Sequence, residues 1–251
     1  MPVTRHAYGP ERDQFAELHL PETAPGAPLP VAVVVHGGFW TTENGGVDRM
    51  TGLCEDLVAR GWAAWNVEYR RLGGGSGGGW PQTAQDVSAA IDHLVTLEDA
   101  PLDLARVVSI GHSAGGHLTL LDAARASAAV RVAATVGQAP LTDVQFAHDL
   151  GGPATQVVEA FMGGAPGAVG DTYAQASPVR LVPLGVPILL VQGELDDLVP
   201  PRMVAAFADA ARAAGDDVTL ELRPHDGHFD HLDPLRGAWA TTADWLQARL
   251  G

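Results

Sequence analysis

Gly111-His112-Ser113-Ala114-Gly115 is the stretch whose reading decides the fold. It directly follows the short apolar run Val107-Val108-Ser109-Ile110 and opens a helical pattern beginning near Ala114. A Gly-x-Ser-x-Gly pentapeptide in that setting is a sharp, strained strand-to-helix turn that presents a serine hydroxyl. Small residues two before and two after the serine let the strand and the helix approach closely. The turn also aims a helix N-terminus at the serine, where the helix dipole favours negative charge. Ser113 is therefore the candidate nucleophile.

Upstream, Val31-Ala32-Val33-Val34-Val35 is β-branched, continuous and bounded by proline and glycine, which predicts a buried strand. His36-Gly37-Gly38-Phe39-Trp40 follows it. Acyl transfer places negative charge on a carbonyl oxygen, and backbone N–H groups must already point at it. The expected donors are Ala114, just after the serine, together with Gly38 and Phe39. His36 is expected to brace this loop.

A serine hydroxyl is a weak nucleophile and needs a base. Downstream of a strand at 188–191 comes Gln192-Gly193-Glu194-Leu195-Asp196-Asp197-Leu198-Val199-Pro200. Asp196 fits a Gly-x-x-Asp-x-x-Val-Pro pattern and is the candidate acid, with Asp197 as its competitor. After a strand at 218–222 comes Pro224-His225-Asp226-Gly227-His228-Phe229-Asp230-His231. His228, between a glycine and an aromatic residue, is the candidate base, with His225 and His231 as alternatives. The spacing of these three histidines also admits a metal site, but no second ligand cluster accompanies it, and none is expected.

Around these motifs, apolar runs alternate with helical patterns. Strands are predicted at 62–67 and 132–136 besides those above, and helices at 50–60, 82–97, 114–129, 202–214 and 239–250. Residues 15–20 alternate and predict an antiparallel edge hairpin before the parallel sheet begins. The result is an α/β class with a mostly parallel sheet of about eight strands and helices on both faces. Residues 141–184 are too long for an ordinary connection and are read as a small cap inserted in a single domain. Residues 73–79, six glycines and a serine, lack the Gly-Lys-Ser/Thr ending of a phosphate loop and are read as a flexible loop. Arg70 is expected to pair with Asp86, the alternative being an arginine that binds a substrate carboxylate. Trp40 and Trp80, beside the site loops, are candidate substrate-binding residues and equally candidate core anchors.

The 251 residues carry a net charge of −15, with arginine as the only basic side chain apart from histidine. That balance disfavours phosphate backbones and anionic membrane surfaces as partners, and it is read as serving solubility, with steering of a cationic substrate as the alternative. The expected partner is a small-molecule substrate. One cysteine, Cys54, admits no internal disulfide and reads as a small core residue. The N-terminal residues show no secretory leader and no run is long enough to span a membrane, so a cytoplasmic location is expected.

With these residues in place, the chain resembles the α/β-hydrolase superfamily along nearly its whole length. Within it, His36–Trp40, the Gly-His-Ser-Ala-Gly-Gly-His-Leu run from Gly111 and Ala176-Ser177-Pro178 are similar to the esterase and kynurenine-formamidase-like branch. So are Tyr8-Gly9-Pro10 with Gln14 and Leu18-His19-Leu20-Pro21. Phe39 stands where many esterases carry a third glycine. The resemblance implies a Ser113–His228–Asp196 triad, an acyl-enzyme and no cofactor. The expected substrates are small or aryl carboxylic esters. The alternatives are an arylformamidase acting on N-formyl anilides and a non-catalytic binding protein on the same fold.

Overall fold

The computed structural model describes residues 2–23 and 26–250; Met1, Ala24, Pro25 and Gly251 lie outside the described residues. Eight strands form one sheet: β1 (Val3–Ala7), β2 (Phe15–His19), β3 (Leu29–Val35), β4 (Ala63–Val67), β5 (Leu102–His112), β6 (Ala134–Gln138), β7 (Ile188–Gly193) and β8 (Val218–Arg223). Their spatial order is β1-β2-β4-β3-β5-β6-β7-β8. β1 and β2 form the expected antiparallel hairpin, β2 runs antiparallel to β4, and all later pairings are parallel.

The continuous apolar strands split their side chains between two cores, as the twofold repeat of a strand requires. Val31, Val33 and Val35 join a core that also takes residues of α2 (Gln82–Asp92), α3 (Ala114–Ala123) and α7 (Pro201–Ala214). Ala32 and Val34 face the other core, built with α1 (Thr51–Ala59) and α8 (Gly237–Leu250). Trp239 of α8 donates from Nε1 to Asp56 of α1 at 2.7 Å, which ties the two helices on that face together. Cys54 is buried in this second core.

Several boundaries differ from the sequence reading. The helix expected over 114–129 ends at Ala123, because Arg125 turns back to form ion pairs with Asp92 and Asp122 at 2.8 and 2.7 Å. The Asp92 carboxylate also accepts the N–H groups of Ala129 and Val130, so tertiary contacts end the helix where no breaker residue does. The strand expected at 132–136 lies two residues later, at Ala134–Gln138. The glycine-rich segment 73–79 is not the free loop expected. Ser76 is buried and accepts the Arg71 N–H at 2.9 Å, and Gly78 N–H donates to the Arg71 carbonyl at 3.0 Å. Residues 141–184 hold three short helices, α4 (Val144–Asp149), α5 (Pro153–Met162) and α6 (Thr172–Gln175), between β6 and β7.

Candidate active site

Ser113 sits between β5 and α3 with φ 56° and ψ −119°, a backbone conformation that an L-residue adopts only when its surroundings impose it. The imposing contacts come from the flanking glycines. A Cβ on Gly115 would collide with the carbonyl oxygens of Val35 and His36, and one on Gly111 with the Gly115 carbonyl. The helix therefore packs straight onto the end of β3, and the serine is pushed up out of the turn.

Asp196 follows β7 and His228 follows β8. Asp196 Oδ2 accepts from His228 Nδ1 at 2.8 Å. The same carboxylate accepts from the backbone N–H groups of Leu198 and Val199 at 2.9 and 2.8 Å and from Gln192 Nε2 at 3.1 Å. Burial raises the carboxyl's proton affinity. The hydrogen bond and charge of His228 and the two N–H groups outweigh it and hold Asp196 below the usual carboxylate range. An ionised carboxylate at Nδ1 fixes the imidazole tautomer and leaves the Nε2 lone pair available. Asp197 is exposed and takes no part in this set, His225 is exposed, and His231 is fully buried.

Ser113 and His228 line one cavity of about 610 Å³ at the carboxyl ends of the parallel strands. Ligands bind at that end of open α/β sheets. No hydrogen bond joins Ser113 Oγ to His228 Nε2 among the described residues; such contacts commonly tighten only when substrate is bound. Gly38 and Phe39 also line the cavity, and their N–H groups find no acceptor among the described residues. Ala114, first residue of α3, has no helical acceptor for its N–H either. Gly38, Phe39 and Trp40 have φ of 110°, 55° and 56°, which turns this loop sharply over the serine.

The loop is braced from beneath. His36 Nε2 lies 3.0 Å from Glu68 Oε1, its ring stacks on Tyr69 at 4.4 Å, and Tyr69 donates to the His36 carbonyl at 2.7 Å. Arg71 pairs with Glu68 at 3.2 Å and donates to the carbonyl of Gly45. Arg70 grips Asp86 with two donors, each at 2.8 Å, so it serves the scaffold as expected.

For Trp40 and Trp80 the structure favours the core-anchor alternative over substrate binding. Neither lines the cavity: Trp40 is fully buried and stacks on Phe161 at 4.1 Å, and Trp80 packs against the same core. The wall is instead supplied in part by residues 141–154 and by the 197–203 segment, and its exposed apolar members are Leu150 (39%), Leu198 (53%) and Phe229 (54%). His112 is the residue that sequence reasoning missed. Its Nε2 donates to the His228 carbonyl at 2.8 Å, and burial, then the neighbouring His228, holds its proton affinity well below the usual value. Its partner is a backbone atom, so no motif marks it. Among the described residues, no three His, Cys, Asp or Glu side chains are grouped to hold a metal ion.

The model of the BD-FAE family matches residues 16–210, which takes in the serine turn, the loop after β3 and the candidate acid. The chain belongs to the BD-FAE family. This BD-FAE chain is 30% identical over 227 residues to Esterase LipQ of Mycobacterium tuberculosis (strain ATCC 25618 / H37Rv), covering 83% of itself and 52% of that relative. It is 25% identical over 250 residues to Esterase LipC of the same organism, covering 92% of itself and 61% of the relative. It thus spans little more than half the length of the curated relatives it matches. Among solved structures it superposes on esterase B from Lactobacillus rhamnosis (HN001) with a TM-score of 0.83 at 20% identity, over 98% of this chain and 84% of that one. The architecture is that of an α/β-hydrolase. Among the described residues, no helix is long and apolar enough to cross a membrane.

Proposed function

We propose that this BD-FAE chain is a carboxylic ester hydrolase acting on small or aryl esters through Ser113, His228 and Asp196. One observation carries the reading: the 2.8 Å bond from His228 Nδ1 to Asp196, with His228 and the strained Ser113 lining the same cavity. Ser113 Oγ attacks the ester carbonyl while His228 Nε2 takes its proton. The N–H groups of Gly38, Phe39 and Ala114 hold the oxyanion of the tetrahedral intermediate. The leaving alcohol takes the proton from His228, and water cleaves the acyl-enzyme by the reverse route. Residues 141–184 act as a cap within one hydrolase domain, since they supply the cavity wall at Leu141, Ala147, Leu150 and Ala154.

Supporting an ester over an N-formyl anilide, the relatives LipQ and LipC and the structural neighbour are all named esterases. The test is Ser113→Ala assayed on a short p-nitrophenyl ester. Turnover is expected to fall by about 10⁶-fold with the fold intact. A fluorophosphonate probe is expected to label the parent protein and not the variant. Ester turnover within a few fold of the parent overturns the reading, and faster turnover of N-formylkynurenine than of the ester would move it to a formamidase.

A further inference from the structure

We infer that Arg49 is the anchor for an anionic group on the leaving portion of the substrate, so that the preferred esters carry a carboxylate. The inference rests on the ester-hydrolase reading above. Eleven of the fifteen arginines have a carboxylate within 4.0 Å, which is expected where acidic residues outnumber basic ones two to one. Among the described residues, Arg49, Arg131, Arg180 and Arg202 have none. Arg131 reaches main-chain carbonyls and Arg202 lies over the Phe146 ring. Arg49 alone among the four lines the cavity.

The exposed Arg49 side chain lies along Gly45, where the absence of a Cβ leaves room for Nε. The guanidinium carbon sits 6.0 Å from the centroid of the Phe229 ring. Phe229 in turn meets the His228 ring edge-on, centroids 5.0 Å apart. The nearest carboxylate in sequence, Asp48, is committed to the Gly46 N–H at 2.9 Å. The planar guanidinium fork therefore has no carboxylate partner among the described residues and stands on the Phe229 side of the cavity, next to His228. A carboxylate fits that fork with two parallel hydrogen bonds. Asp197, which also lines the cavity and has no ion pair among the described residues, is of opposite sign and repels an anion placed beside it.

The experiment compares 4-acetoxybenzoate with the neutral 4-acetoxybenzamide on the full chain and on Arg49→Gln, with melting temperatures recorded for both proteins. Comparing the ratio of kcat/KM for the two esters between proteins cancels their intrinsic reactivities. The ratio is expected to fall about tenfold in the variant, chiefly through KM for the anion, with the melting temperature unmoved. The loss is expected to shrink at 0.5 M salt, where charges near the surface are screened. A ratio that is the same in both proteins overturns the inference and leaves the hydrolase reading standing. Absence of cleavage of both esters by the parent protein overturns the two together.

Discussion

His112 Nε2 donates to the main-chain carbonyl of His228 across 2.8 Å, so the residue before the candidate nucleophile holds the loop that carries the candidate base. The two rings lie 4.7 Å apart by their centroids, and no other donor reaches that carbonyl among the described residues. His112→Phe keeps a ring but leaves the carbonyl buried and unpaired, a loss of about 1–3 kcal/mol. A melting temperature a few degrees lower is expected, with kcat reduced about tenfold and KM little changed. His112→Gln, which keeps a donor, is expected to recover part of kcat. Equal kcat in the parent and the Phe variant would show that the contact does not position His228.

Asp196→Asn tests the orientation of the imidazole. The amide puts an N–H₂ group where the carboxylate now accepts four hydrogen bonds, and it favours the wrong tautomer of His228. A fall in kcat of about 10⁴-fold is expected on any ester the parent cleaves. The variant also reports on stability. The Asp196 carboxyl is held below the usual range, so its contribution is present above the unfolded value and disappears as pH falls through the folded one. Denaturation midpoints of parent and variant are therefore expected to differ most at neutral pH and to converge in acid.

Acid is expected to weaken the fold between about pH 6.5 and pH 4 through buried histidines, His117 and His231 together with His112. Burial, aided at His231 by the charge of His228, brings His117 and His231 down to about 4. The unfolded chain binds these protons and the folded one does not, so stability rises with pH across that window, by up to about 3 kcal/mol for each group. His231 has neither ring nitrogen hydrogen-bonded among the described residues. In thermal scans from pH 7.5 to 4.5, His231→Leu is expected to flatten the fall in melting temperature. A slope identical to the parent's would assign the acid sensitivity elsewhere.

Gly115→Ala is expected to damage the fold as well as the chemistry. The added methyl group meets the Val35 and His36 carbonyls, neither of which can withdraw without opening β3. Overpacking of this kind costs about 1–3 kcal/mol and sometimes more. A soluble variant with parental melting temperature and turnover would contradict the contact.

The sheet was legible because its central strands are continuous apolar runs such as 31–35, and the candidate site because Ser113 ends one such run while Asp196 and His228 lie in the loops that follow β7 and β8. What stayed hidden was set by distant partners. The end of α3 at Ala123 depends on Arg125 finding Asp92, 33 residues away in sequence. Trp40 reads as a pocket residue beside the loop, yet its left-handed backbone turns the indole inward onto Phe161. The anchoring of residues 73–79 includes a buried serine, Ser76, which composition dominated by glycine conceals.

The candidate acid and the candidate base hang from the last two strands of the sheet, and among the described residues β8 has a neighbour on one side only. Opening of an outermost ribbon is a smaller event than melting of the whole molecule. Mild denaturant is thus expected to abolish any ester turnover at concentrations where the valine-rich centre, with Ser113, is still folded, so that loss of turnover gives early warning of unfolding.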